Sequence, residues 1–441
     1  MTIVTAVGGV LAGLELQRGD RDPAWLAEAR RAALGWVGEH GFPTSKDEDW
    51  KYTGLDPILA VPFEAATAGS GRLVSPEEID EIAVDLGGPR LVFVNGHFAA
   101  ELSRLTGLPE GVEVTSLASV LAAGPERLEP FFSHTPGEHH AFAAFNDVLA
   151  EDGAFVHLSA GTSVDEPIQL VFFSDTGGFE LMSSPRSVIL AEAGSRATIV
   201  ETYAGIDGDV YCNNAVTEAV LGDGARIEHY KVQDEPETAF HLALLDVRQG
   251  RNSRFSSRSV MLGASIARHE VRVLFEDEGA EVSLDGVYLP QGEQLHDNTI
   301  FVDHAAANCT SHQLYKGVLD GRGHGVFNGH IMVRPGADGT DANQNNKNLI
   351  LSDRAEVDTR PRLEIYTDDV KCTHGAAVGQ LDEEALLYLR ARGIPLEEAR
   401  GLLIYAFVHE MVDRIELEPL RTQLETLVAA RFADGDHPVE P

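Results

Sequence analysis

Cysteine is scarce in this sequence: three in 441 residues, at Cys212, Cys309 and Cys372. No two are close enough for a C-x-x-C pair, which excludes a disulfide framework and points to a reducing cytosol. Basic residues are also short, 34 Lys+Arg against 70 Asp+Glu, for a formal charge of −36. Such a surface repels phosphate backbones and anionic lipid, so neither nucleic acid nor membrane is an expected partner. No run approaches the roughly 18 apolar residues of a membrane helix. The first twenty residues lack a basic n-region and a cleavage site, so no signal peptide is read there and a cytoplasmic location is expected. Also missing are G-x-S-x-G, H-E-x-x-H and the phosphate loop G-x-x-x-x-G-K-[ST]. If a nucleotide is used, another chain binds it.

What is present falls into three parts. Residues 1–150 read as a helical region. DPAWLAEARRAALGWVGEHG carries an i, i+4, i+8 apolar stripe, SPEEIDEIAVDL opens on Ser75 and Pro76 with acids in its first turn, and Ser45 stands at capping-box spacing from Glu48. Residues 151–378 change character. Short β-branched runs follow one another, most closed by Gly, Asp or Asn, with no helix of more than a turn or two between them. The steps GSRATI, GARIEH, GRNSRF and GAEVSL recur at a loose period that suggests stacked coils. A parallel β-helix is favoured over a sandwich, and Asn343, Asn345, Asn346 and Asn348 look like corner side chains bonded along a stack. The fold class is therefore mainly β: a parallel β-helix between an N-terminal helical region and a C-terminal helical domain at 379–441.

In that last domain Asp382 can cap one helix and Gly393 end it, Pro395 starts a second, and Leu417, Leu420, Leu424, Leu427 and Val428 line one face of a third. The second helix is apolar on two sides. Ala399, Leu402, Leu403, Ala406 and Phe407 make one stripe; Ile404, Val408, Met411, Val412 and Ile415 make the other. A helix of this kind is covered on both faces, by its own chain or by a partner.

Two groups of residues carry candidate chemistry. Cys372 and His374, at i and i+2, point to the same side of a strand. Thiolate and imidazole are competent ligands for iron or zinc, yet two ligands do not close a site. Either a second subunit completes it, or a buried cysteine simply neighbours a bonded histidine. His296, Asp297, Asp303, His304, Cys309 and His312 form the second group, without a recognisable ligand spacing; ordinary β-helix positions are the simpler reading.

Four segments resemble the SufD branch of the SufB/SufD family of the SUF iron–sulfur cluster assembly system: KDEDWKYT from Lys46, GVFNGHIMV from Gly325, DANQNNKNLILSD from Asp341, and the long block from Glu356 to Arg400 that contains DVKCTHGAAVG. The resemblance implies a right-handed parallel β-helix and a non-catalytic scaffold. It implies pairing with the paralogue SufB through the β-helices, and docking of the ATPase SufC by the C-terminal helices, for which Ile404, Val408, Met411, Val412 and Ile415 are the candidate surface. ATP hydrolysis is then expected in SufC. His374 and Cys372 become candidate ligands to a nascent Fe–S cluster at the SufB–SufD seam, with no cofactor in the isolated chain and a homodimer as the alternative assembly when the partner is missing. The competing class is a β-helix carbohydrate-active enzyme, a polysaccharide lyase or hydrolase; a charge of −36 suits a polyuronate substrate poorly.

Overall fold

Between Ala154 and Gly379 the short runs fold into strands that alternate between two sheets, each strand parallel to its neighbours one coil away. The computed structural model describes residues 22–132 and 141–433, so the N-terminal segment read as lacking a signal peptide lies outside the described residues. The result is a β-solenoid of about eight turns. The repeated sequence steps are its coils: Arg196, Arg226, Arg254 and Glu281 stand in register on successive strands. Each coil turns the corner before these residues through a left-handed backbone position, occupied by Gly194, Gly224, Asn252 and Gly279. Glycine and asparagine tolerate that conformation, which is why the steps share their punctuation.

Alternation sorts the side chains. On Arg226–Asp234, Ile227, His229, Lys231 and Gln233 point into the solenoid, while Tyr230 and Val232 face outward beneath the C-terminal helices. The asparagines of 343–348 lie on the strand Thr340–Ile350, not at a corner as expected. Asn346 donates to the Tyr288 hydroxyl (3.0 Å), and Asn348 to Asn346 (2.6 Å), inside the lumen. Asn343 reaches across the stack to the Thr373 hydroxyl.

The N-terminal region is less purely helical than its sequence suggests. Arg90–Val94 joins one sheet in parallel with Ile168–Ser174, and Val112–Ser116 joins the other antiparallel to Ala154–Leu158. The first is the run RLVFV, followed by Asn95-Gly96 at φ 50° and 81°, a hairpin turn that leads back through His97–Phe98. Phe98, Leu105, Leu108 and Val112 close over the core at this end. The Ser75–Glu78 capping box forms as expected. Ser45 and Glu48 do not pair; Asp47 instead accepts from the Thr44 backbone and hydroxyl (2.7 and 3.0 Å). The following Trp50 is pinned by a buried cation: the Arg268 guanidinium lies 3.9 Å over its ring, bonds Asp297, and donates to the Asp49 carbonyl.

Three helices, Glu383–Ala391, Leu396–Val412 and Glu418–Ala433, follow the last strand. Asp382 caps the first as expected, accepting from the Glu384 and Ala385 amides. Ile404, Val408, Met411, Val412 and Ile415 are all buried against the solenoid's own outer face, on Val232, Val260, Leu262, Val287 and Val318. This corrects the expected partner surface. The outward apolar residues of one sheet need cover, each contributing ~1.5–3 kcal/mol when buried, and the helix of the same chain provides it. Lys316 locks the contact by donating to the Phe407 carbonyl (2.8 Å) and pairing with Glu410 (2.5 Å).

Candidate functional site

The last coil differs from all the others. Glu356–Ile365 and Val370–Gly379 are the final strands of the two sheets, and none of their residues is buried; on Ile168–Ser174, near the other end, every residue is. Each final strand is hydrogen-bonded on one edge only, leaving backbone donors and acceptors along the other. Ile365, Tyr366 and Val378 add exposed apolar surface to the same end.

Register fixes where the two candidate ligands point. Cys372 stacks on Ala342 and His374 on Gln344, both inward-facing. The pair is therefore directed into the mouth of the lumen, uncovered because no further coil follows. Beneath His374, Gln344 donates to Gln313 (2.8 Å), and its amide lies so close to Gly329 that a Cβ there would sit 2.2 Å from Nε2. A side chain at position 329 would have to displace that amide. Among the described residues the buried Gln344 Oε1 has no hydrogen-bond partner.

The two candidate residues have different environments. His374 is exposed. Cys372 is half-buried, packed with Leu363 and Val370 against Ile331 and Val333. Burial, with the Asp341 carboxylate as a second cause, pushes its thiol above the ordinary value. A thiol so placed stays protonated at neutral pH until a metal displaces its proton.

The second group is not brought together. His296 and His304 are inward at opposite ends of Leu295–His304, bonding the Gly263 carbonyl (2.9 Å) and the Ser311 hydroxyl (2.8 Å). Burial lowers both imidazoles to about 3. Asp303 pairs with Arg334, Asp297 with Arg268, Cys309 is buried, and His312 is exposed on a different strand. These are structural positions.

A further surface was not assigned from sequence. Leu387, Tyr388, Leu396 and Leu402 are exposed on the first two C-terminal helices, with Ala406 beside them. The signal was available in ALLYL, where five consecutive apolar residues exceed what one helix face can bury. Leu402 and Ala406 belong to the stripe opposite the one chosen.

Comparison with known proteins agrees with this architecture. Residues 172–407 match the family model described as SUF system FeS cluster assembly, SufBD core domain, and residues 19–170 match the SufBD protein N-terminal region. An iron–sulfur cluster assembly SufBD family protein of Synechocystis is 32% identical over 92% of this chain and 91% of its own. The iron–sulfur cluster assembly protein SufD of Escherichia coli is 30% identical over 90% of each chain. SufD of Bacillus subtilis is 25% identical over 92% of this chain and 94% of its own.

Proposed function

This chain belongs to the SufBD family of SUF-system iron–sulfur cluster assembly proteins, and from that premise we propose that it is a non-catalytic scaffold subunit whose open end builds a nascent cluster together with a paralogue. The SufB-type subunit adds its own terminal coil to the unpaired strands 356–365 and 370–379. The cluster is cargo. His374 supplies an exposed imidazole, Cys372 a thiolate once iron has displaced its proton, and the partner supplies the remaining ligands. ATP is hydrolysed by a SufC-type subunit docked on the outer surface of the C-terminal helices, around Leu387, Tyr388 and Leu402. The isolated chain then holds no cluster, because two donors cannot satisfy tetrahedral iron.

One observation carries this reading: the inward-facing Cys372–His374 pair sits on a coil with no buried residue and an unpaired edge on each sheet. A lumen that opens only where two bonding edges are free is completed by a second β-stack. The test is the three-subunit assembly purified with His374→Ala and reconstituted anaerobically with iron and sulfide. The complex should assemble normally while its cluster content, read from iron, sulfide and visible absorbance, falls to a small fraction of wild type. Undiminished cluster in an intact complex overturns the assignment.

A further inference from the structure

On the outer face of the same end, the register of the last two strands of one sheet makes a second cluster. His324 pairs directly with Glu356, and Asp358 follows two residues along the terminal strand on the same side. Residues at i and i+2 on a strand stand about 7 Å apart, and like charges would splay further. Here they do the reverse. One imidazole nitrogen and one oxygen from each carboxylate all lie within 4.8 Å of one another, and His324 Nε2 is 2.9 Å from Asp358 Oδ2.

The His324–Asp358 hydrogen bond accounts for one of these contacts, and among the described residues no neighbouring cation accounts for the approach of Glu356. Arg360, the next outward residue of the strand, is turned away to Glu48 and Asp49 of the N-terminal segment. Arg322 pairs with Glu293. Among the described residues no lysine or arginine neutralises Glu356 or Asp358, so two carboxylates meet around one imidazole in a half-buried corner.

We infer that His324, Glu356 and Asp358 form a binding site for a divalent first-row cation. The donor set, one imidazole and two carboxylates without a thiolate, suits Mn2+, Fe2+ or Zn2+ and leaves positions open to water. At metal–ligand distances of about 2.1 Å, adjacent ligands of an octahedral ion lie about 3 Å apart, which the His324–Asp358 contact already satisfies. The exposed Glu356 side chain closes the remainder by rotation. Because the ligands come from the last coil and the one before it, an occupied site pins the terminal coil to the stack. It lies outside the lumen, involves neither Cys372 nor His374, and does not depend on the function proposed above.

The probe is Mn2+, added to the full chain after chelator treatment and desalting, with free ion read from its six-line EPR signal. Wild type should remove one equivalent from solution. Asp358→Asn and His324→Gln should each weaken binding by about tenfold or more, while His374→Ala binds as wild type. Mn2+ should raise the thermal midpoint of wild type and His374→Ala but not that of the two site variants. Either site variant alone suffices if the other fails to fold. Absence of binding by wild type up to millimolar Mn2+ overturns the inference, as does unchanged binding in the site variants, or loss only in His374→Ala.

Discussion

Two histidines of the solenoid interior behave as hydrocarbon with one polar edge. His304 lies edge-on to Phe275, with ring centres 4.7 Å apart, and spends its Nε2 on Ser311; His296 spends its own on a backbone carbonyl. Both are held neutral, with folded values of about 3 against an ordinary 6.5. Between those values the unfolded chain binds a proton at each site and the folded chain does not. Stability is therefore lost as pH falls from 6.5 toward 3, by about 1.4 kcal/mol per pH unit for each histidine once fully in that window. His304→Gln should flatten the acid limb by that slope in denaturant titrations at pH 6, 5 and 4. An unchanged slope would mean that the native state takes up the proton near the ordinary value. The contrast with His374 is one of place: the same side chain is structural within the stack and available for chemistry at its mouth.

Among the elements, the helix Leu396–Val412 has one stripe covered by its own chain and another left exposed. Val408 is fully buried on the solenoid, whereas Leu402 is 46% exposed. Val408→Asp should lower the thermal midpoint sharply, since it buries a charge without a partner, at a cost of several kcal/mol. Leu402→Glu should leave the midpoint within about a degree of wild type and, on the docking proposed above, reduce co-purification of a SufC-type ATPase. The reverse pattern would restore the inner stripe as the docking face. Both stripes were legible in the sequence, but periodicity reports that two faces are apolar and not which one its own chain covers. That depends on Tyr230, Val232, Val260 and Val287, outward-facing residues whose need for cover appears only once the coils are stacked. The coils themselves were readable because the corner requirement for glycine or asparagine repeats. RLVFV was missed because it sits between helix starts, although Asn95-Gly96 marks the hairpin. The cluster His324–Glu356–Asp358 was hidden for a related reason: only the register between strands more than thirty positions apart along the chain makes neighbours of those residues.

At the level of the molecule, a charge of −36 opposes the end-to-end association proposed above. For two copies of this chain meeting end to end, the repulsion is long-ranged at low ionic strength and is screened to about 8 Å at physiological salt. Self-association of the isolated chain, measured by sedimentation, should strengthen about tenfold or more between 20 and 500 mM NaCl. A Leu363→Lys substitution, on the inward apolar side of the final coil, should abolish it at either salt. Association that weakens with salt would place the contact on paired charges elsewhere. The two extremities of the solenoid are unlike: one is finished by a hairpin and an antiparallel strand with Leu105 and Leu108 folded over the core, the other is bare. A stack that can be extended from a single terminus is spent after one joining event. Under the strand addition proposed above, growth ends at a pair, and the covered terminus is what would separate a stoichiometric partner from a fibre.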